Sequence, residues 1–390
     1  MSNKKIWLSS PHIDGNEQKF INEAFRTNWI APLGPNVNGF EEDLQKFTGV
    51  KYVAALTSGT AAIHLGLINL GVKRDDIVLC QSLTFSASAN PVVYLGANPV
   101  FIDSEPDTWN MSPGHLQNAI KACLDGKLIV NGIKIPKPVR PKAIIPVHLY
   151  GMPAKMNEIN LIAAKYNIPV LEDAAEALGS CYNGKPCGSL CQLGVLSFNG
   201  NKIITTSGGG ALLSNNESYI RKARFLATQA RDSAPHYQHS EIGYNYRMSN
   251  VLAGIGRGQM EVLEKRISKR RENNRMYRDM LNNIEGITFL NEPEGHFSNF
   301  WLTTILVDPE KTGGVTREDV RLAFEKANIE ARPLWKPMHL QPVFADAPFF
   351  GGGVSEMLFQ NGLCLPSGSN LTDNDFERIH KVLKLLFGMK

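Results

Sequence analysis

Tyr52-Val53-Ala54-Ala55-Leu56 is a short apolar run, Thr57-Ser58-Gly59-Thr60 is a break of small polar residues, and Thr60 to Leu70 returns to apolar residues at helical spacing. Read in order, this is a buried strand, a tight turn and a helix. The pattern recurs along the chain. Ile77–Gln81 reads as a strand and Ser86–Leu95 as a helix. Pro99–Ile102 and Ala143–Leu149 read as strands, and Met156–Tyr166 as a helix with Met156, Ile159, Ile162 and Ala163 on its apolar side. Ile168–Glu172 and Val195–Phe198 are further strands. Alternation of this kind predicts an α/β fold with a mostly parallel central sheet. Ligands of such sheets sit outside the carboxyl ends of the strands. The Thr57–Thr60 turn and Asp173 both fall at such ends.

Two departures frame this unit. Asp125 to Pro141 interrupts the alternation and carries Asn131-Gly132 between short apolar runs, a hairpin signal. From Ser249 a long helical pattern runs through Ile267 toward Ile284. Beyond it, Ile287–Leu290 and Trp301–Val307 read as strands, and Arg317–Ala327 and Asp375–Phe387 as helices. The division expected is a large domain over 1–250, with an N-terminal arm and the hairpin excursion, and a bridging helix with a smaller α+β domain over 251–390.

Bulk composition narrows the function. Of 390 residues 43% are hydrophobic and 20% charged, a globular balance rather than a disordered one. Net charge is +4, from 41 Lys and Arg against 37 Asp and Glu, too small an excess to point to nucleic acid. The basic stretch Lys265 to Arg278 reads as a solvated helix face. The six cysteines contain no CxxC pair, and Cys187 and Cys191 have no second Cys/His pair at ligand spacing, so no metal is expected and reduced thiols in the cytoplasm fit. Ile6-Trp7-Leu8 is too short for the apolar core of a signal peptide. No run approaches the roughly 18 apolar residues of a membrane span.

The chemistry centres on Ser197-Phe198-Asn199-Gly200-Asn201-Lys202, which is followed by Gly208-Gly209-Gly210. A lysine in a tight polar turn, paired with an aspartate at the end of a buried strand, suits pyridoxal phosphate (PLP). Lys202 would hold the cofactor as a Schiff base, and Asp173 would keep its pyridine nitrogen protonated. Thr57-Ser58-Gly59-Thr60, at a strand-to-helix junction, exposes backbone N–H groups suited to the phosphate. Phe85, after a strand, could stack on a flat ring. Each residue alone has an ordinary structural reading: a surface lysine, an N-cap, a core phenylalanine.

The order of Ser58-Gly59-Thr60-Ala61-Ala62, Glu172-Asp173-Ala174-Ala175, Ser197-Phe198 with Lys202, the glycine triplet, and Gly243-Tyr244-Asn245-Tyr246-Arg247-Met248-Ser249 resembles the DegT/StrS family over nearly the whole chain. These are fold-type I, PLP-dependent aminotransferases of nucleotide-linked keto-sugars. The resemblance implies Lys202 and Asp173 as catalytic residues. It implies Ser58, Gly59, Thr60 and Ser197 at the phosphate, Phe85 on the cofactor ring, and Asn245 reaching the phosphate of a neighbouring subunit in a homodimer. Glu176 stands where many relatives carry Gln or His near the cofactor's phenolic oxygen, and a carboxylate there would be repelled unless one group is protonated. Cations for a substrate diphosphate would be Arg231, Arg332 and Lys336, with His339 at the sugar or base.

Asn199 and Ser207 depart from the commonest family pattern. With Asn28 to Gly34 and Arg332 to His339 they resemble one subgroup, which includes the C4 aminotransferases of N,N′-diacetylbacillosamine synthesis. That resemblance implies UDP-2-acetamido-2,6-dideoxy-4-hexulose as acceptor and glutamate as donor, with pyridoxamine phosphate between the half-reactions. A GDP-linked 4-keto-6-deoxymannose is the competing acceptor. A PLP-dependent sugar dehydratase would carry histidine in place of Lys202. A non-catalytic nucleotide-sugar-binding protein would not require Lys202 and Asp173 together.

Overall fold

The computed structural model describes residues 4–130, 132–134 and 138–389. Its centre is one twisted sheet. Across it, in order, run Tyr52–Leu56, Gly210–Ser214, Leu193–Ser197, Leu171–Asp173, Ala143–Ile145, Ile77–Gln81, Asn98–Ile102 and Phe349–Phe350. The two halves join where Ile144 N–H donates to Pro169 O (3.0 Å) and Asp173 N–H to Pro146 O (2.9 Å). Gly210–Ser214 is antiparallel to both its neighbours and the other pairings are parallel, so the α/β, mostly parallel expectation holds. The strands are apolar because helices cover both faces. Leu79 packs among Ile120 and Ile159, while Cys80 packs toward Leu65 and Val92.

The edge of this sheet is set by strand direction. Leu56, Gln81, Ile145, Asp173 and Ser197 are the last residues of parallel strands, and Gly210 is the first residue of the antiparallel one. All of their onward or preceding loops therefore open on one side. A second sheet orders Ile287–Phe289, Thr303–Val307, Gly362–Leu365 and Arg332–Pro333, antiparallel throughout. Helices Arg317–Lys326 and Asp373–Phe387 start with reciprocal capping boxes at Thr316/Asp319 and Thr372/Asp375. The N-terminal arm pairs with this part of the chain through Ile6 and Ile329.

Several local readings change. The strand expected over Ala143–Leu149 stops at Ile145. Pro146 follows, and the chain turns through Tyr150 at φ 54°. The long pattern from Ser249 forms two helices, Asn250–Met260 and Leu263–Leu281, broken at Glu261-Val262. The basic stretch 265–278 is not a wholly solvated face. Arg266 and Arg270 are both 1% exposed. Arg266 binds Asp14 and His12 O, and Arg270 binds the carbonyls of Trp301 and Ser367 and the Ser9 hydroxyl. Their charge is spent on tying the arm to the helix. Ile129–Val130 and Ile133–Lys134 pair antiparallel on either side of Gly132, and Asn131 lies outside the described residues.

Candidate active site

The loops on that sheet edge enclose a cavity of about 820 Å³. Ser58, Gly59, Thr60, Phe85, Asp173, Glu176, Ser197, Lys202, Arg332 and Lys336 all line it. Residues from five separate stretches, 58–60, 85, 173–176, 197–202 and 332–336, thus converge on one space.

Asp173 forms its floor. It is buried, and its backbone is fixed on both sides: its N–H donates to Pro146 O and its carbonyl accepts from His148 N–H (3.1 Å). The Ser88 hydroxyl donates to Oδ2 at 2.6 Å and the Ala175 N–H to Oδ1 at 3.1 Å. Ser88 has one proton, which it gives to the carboxylate. At 2.7 Å it therefore accepts from the Thr84 hydroxyl, and the three groups form a directed chain. Burial raises the Asp173 carboxyl above the usual range, opposed by Ser88, Ala175 and the charge of Lys202. A cation in the cavity would relieve that cost.

Behind Asp173 lies a second buried pair. His148 Nε2 is 2.8 Å from Glu172 Oε1, with Cys187 beside them. Ala154 N–H donates to His148 Nδ1 at 3.0 Å, so Nδ1 is the acceptor and the ring proton sits on Nε2, facing Glu172. Glu172 also accepts from the N–H groups of Gly188 and Leu190. This arrangement clamps the strand that delivers Asp173 and turns no ring lone pair toward Cys187.

Ser58 caps the helix Gly59–Asn69 by accepting Ala61 N–H at 3.0 Å. The first N–H groups of a helix have no partner within it, and here they open on the cavity. Gly210 packs against the backbone of Ser58 and Gly59 so closely that a Cβ would overlap both, and a Cβ on Gly59 would lie 3.2 Å from Ser197 Cβ. Glycine is needed at Gly210 for this approach of strand to turn.

Lys202 is held from three sides. Its N–H donates to Asn199 O at 3.0 Å. The neighbouring Asn201 carbonyl accepts from Trp301 Nε1 and from the Ser9 hydroxyl, each at 2.7 Å. Its Nζ lies 4.1 Å from the centre of the Trp301 ring and 3.2 Å from Glu176 Oε1. Phe85, Trp335, Tyr150 and Trp301 make a continuous aromatic wall. The residues present fit a flat cationic ring with a phosphate tail: a buried carboxylate, helix N–H groups, a lysine amine and aromatic side chains line the one cavity.

Three residues singled out in the sequence lie elsewhere. Arg231 and Asn245 line another concavity, with Pro32, Leu33 and Arg247. Arg247 is buried against Glu41 at 3.0 Å, which fixes the Asn245 segment. His339 does not line the Lys202 cavity. Its ring nitrogens engage Ser82 (2.7 Å) and Glu356 (3.2 Å), and Phe349 stacks on it at 3.6 Å. Arg332 is at the cavity rim, paired with Glu330 at 2.8 Å. The sequence reading missed Ser88, Tyr150, Trp301 and Trp335. Ser88 lay inside a predicted helix and Trp301 at a predicted strand end, so neither carried a local signal. Trp335 sat within a segment noted for its subgroup resemblance and for Arg332, Lys336 and His339, with no role given to the tryptophan.

The sequence profile of the DegT/DnrJ/EryC1/StrS aminotransferase family matches residues 11–384. The chain is 54% identical over 389 residues to the Bacillus subtilis protein described as "Putative pyridoxal phosphate-dependent aminotransferase EpsN", covering 98% of this chain and 96% of that one. It is 34% identical to a GDP-perosamine synthase of Caulobacter vibrioides, covering 96% of each. It is 36% identical over 269 residues to the UDP-4-amino-4,6-dideoxy-N-acetyl-beta-L-altrosamine transaminase of Campylobacter jejuni, covering 68% of this chain and 67% of that one.

Proposed function

From the chain's membership of the DegT/DnrJ/EryC1/StrS aminotransferase family, we propose that it transfers an amino group from glutamate to C4 of a nucleotide-linked 4-keto-6-deoxy sugar. It is a PLP-dependent sugar aminotransferase of fold-type I. When bound, the cofactor carries the amino group between the two substrates and draws electrons from the carbon that loses its proton. The observation that carries the assignment of roles is the convergence of Lys202 Nζ, the buried Asp173 carboxylate and the Ser58–Thr60 turn in one cavity.

Asp173 supplies the charge that holds the ring nitrogen protonated. Ser58, Gly59, Thr60 and Ser197 bind the phosphate through hydroxyl and backbone N–H groups. Phe85 covers the ring. Lys202 anchors the cofactor and then, as a free amine, moves a proton at Nζ. The aromatic wall and the Ser9 arm keep water from that proton. Arg332 and Lys336 at the rim suit a diphosphate. Asn245, on a different face, suits service to the site of a second protomer in a homodimer.

The acceptor we favour is UDP-2-acetamido-2,6-dideoxy-4-hexulose. Its support is the Asn199 and Ser207 pattern and the 36% identity to a UDP-sugar transaminase. The second reading, a GDP-linked 4-keto-6-deoxymannose, is favoured by the full-length likeness to a GDP-perosamine synthase. Protein loaded with PLP should be yellow, bleach with glutamate and regain colour with the correct keto-sugar. Colour recovery with the UDP-linked sugar and not the GDP-linked one fits the first reading, and the reverse selects the second. No bleaching with any amino acid, or turnover by Lys202→Ala, would overturn the assignment. Among the described residues no helix is long and apolar enough to cross a membrane.

A further inference from the structure

The cavity contains one acid–base contact that the amination scheme above does not use. Glu176 Oε1 lies 3.2 Å from Lys202 Nζ, with only 3% of the glutamate side chain and 12% of the lysine side chain exposed. Tyr150 N–H donates to Glu176 Oε2 at 2.7 Å, so the carboxyl is held on both oxygens. Tyr150 is itself fixed. Its backbone is left-handed at φ 54°, its ring stacks on Trp301, and its hydroxyl accepts Trp335 N–H at 2.9 Å.

Resting on the aminotransferase reading, we propose that Glu176 is a positioning residue for the proton of Lys202. The Lys202 ammonium passes one proton from Nζ to Oε1 of Glu176. An N–H bond breaks, an O–H bond forms, and an ion pair becomes an amine and a carboxylic acid with no change in net charge. The amine is then ready to act, and the proton stays within 3.2 Å of where it is next needed.

Physical chemistry favours such an exchange at this place. Two ions kept from water each carry a desolvation cost that the neutral pair does not. Burial pushes the Glu176 carboxyl up to about 7, against the opposing pull of the Lys202 charge and the Tyr150 N–H, with Asp173 adding to the rise. From the other elements packed here, the titratable groups are the Tyr150 hydroxyl and the Cys364 thiol. Burial pushes both upward, so they stay neutral through this range. A glutamine, though many relatives carry one here, could not take the proton. With its carbonyl toward Tyr150 N–H, its NH₂ would face Nζ and oppose an ammonium there.

Infrared difference titration of the full chain, labelled with isotopic glutamate, reads the carboxylic acid directly. Wild type should keep a glutamic acid band above pH 7, where a Lys202–Glu176 ion pair would show only carboxylate, and the band should be lost in Glu176→Gln. In Lys202→Met the band should be lost at about the same pH as in wild type, because an amine that has given up its proton exerts no cationic pull. A wild-type band lost by pH 7 that survives with about tenfold higher proton affinity in Lys202→Met shows an ammonium that keeps its proton, and overturns the proposal. If Glu176→Gln does not fold, wild type and Lys202→Met still decide it. None of these spectra needs bound cofactor. Failure of PLP loading or of glutamate bleaching would sink the aminotransferase reading separately.

Discussion

The Ser88 hydroxyl donates to Oδ2 of Asp173 across 2.6 Å, and it is the side-chain donor that Asp173 has in a buried setting. A hydrogen bond to a charged group contributes about 1.5–3 kcal/mol. Ser88→Ala removes that support and pushes the carboxyl, already raised by burial, further up. In its proposed role Asp173 must be charged to hold a protonated ring nitrogen, so as pH falls cofactor retention should fail at higher pH than in wild type. We expect PLP binding about tenfold weaker near pH 6, with much less change near pH 8. Absorbance titration with PLP across this range checks it. An acid limb that does not move would separate Ser88 from the charge state of Asp173.

Two glycines of the same triplet, Gly210 and Gly208, should behave oppositely. A Cβ on Gly210 would overlap Gly59 N and the Ser58 carbonyl carbon, both backbone atoms of the turn proposed to bind the phosphate. Gly210→Ala must therefore displace the strand or the turn, and should cost about 1–3 kcal/mol of stability, the usual range for overpacking. It should also weaken binding of PLP and of inorganic phosphate. Gly208 has nothing within 4 Å of the equivalent position. Gly208→Ala should leave the unfolding midpoint unchanged. Thermal unfolding of the two variants side by side gives the comparison.

The same contrast explains how much was legible beforehand. Tyr52–Leu56 and Ile77–Gln81 are buried by helices on both faces, so their residues had to be continuously apolar, and both were readable to the residue. The Ser58 turn and Asp173 followed because strand ends define the site edge. Gly210–Ser214 was not read as a strand, since Gly208-Gly209-Gly210 looks like a flexible turn until Ser58 is seen packed on Gly210. The helices Glu17–Arg26 and Pro35–Thr48 also escaped. The surroundings of Lys202 were illegible for a different reason. Ser9 and Trp301 reach Asn201 from 192 and 100 residues away. No local pattern encodes a contact that only the closed fold creates. Arg270 failed similarly: its burial is meaningful only once the carbonyls of Trp301 and Ser367 converge on it.

Asp103 offers a stability test away from the cavity. It follows the strand Asn98–Ile102 and accepts the N–H groups of Gly352 (2.9 Å), Gly353 (2.8 Å), Val354 (3.1 Å) and Ser355 (2.9 Å). It thereby locks the start of helix Val354–Asn361 and the Phe349–Phe350 strand to the sheet. Its burial opposes charge, but the bonds from Ser355, Gly352 and Ser104 win and hold its carboxyl below the ordinary 3.8. Asp103→Ala leaves the buried N–H groups of Ser104 and Ser355 without their acceptor and should cost about 3 kcal/mol. The carboxyl is depressed in the folded state, so its contribution is present above 3.8 and is lost as pH falls through the folded value. Urea unfolding should show the gap between wild type and variant narrowing in acid.

Glu176 carries the opposite sign. Its carboxyl is raised from 4.5 to about 7 in the folded protein, burial being the largest cause. Between those values the folded state binds more protons than the unfolded one, so stability falls as pH rises. The contribution is fully present below 4.5 and is lost as pH passes about 7. A rise of that size corresponds to about 3 kcal/mol. Glu176→Gln removes the titration of this carboxyl. The stability of wild type relative to Glu176→Gln should therefore drop by about 3 kcal/mol between pH 4.5 and pH 8, most of it below pH 7. Denaturant unfolding of both proteins at several pH values measures the difference directly. Parallel curves would mean that Glu176 is already ionised at pH 4.5, in an ordinary ion pair with Lys202.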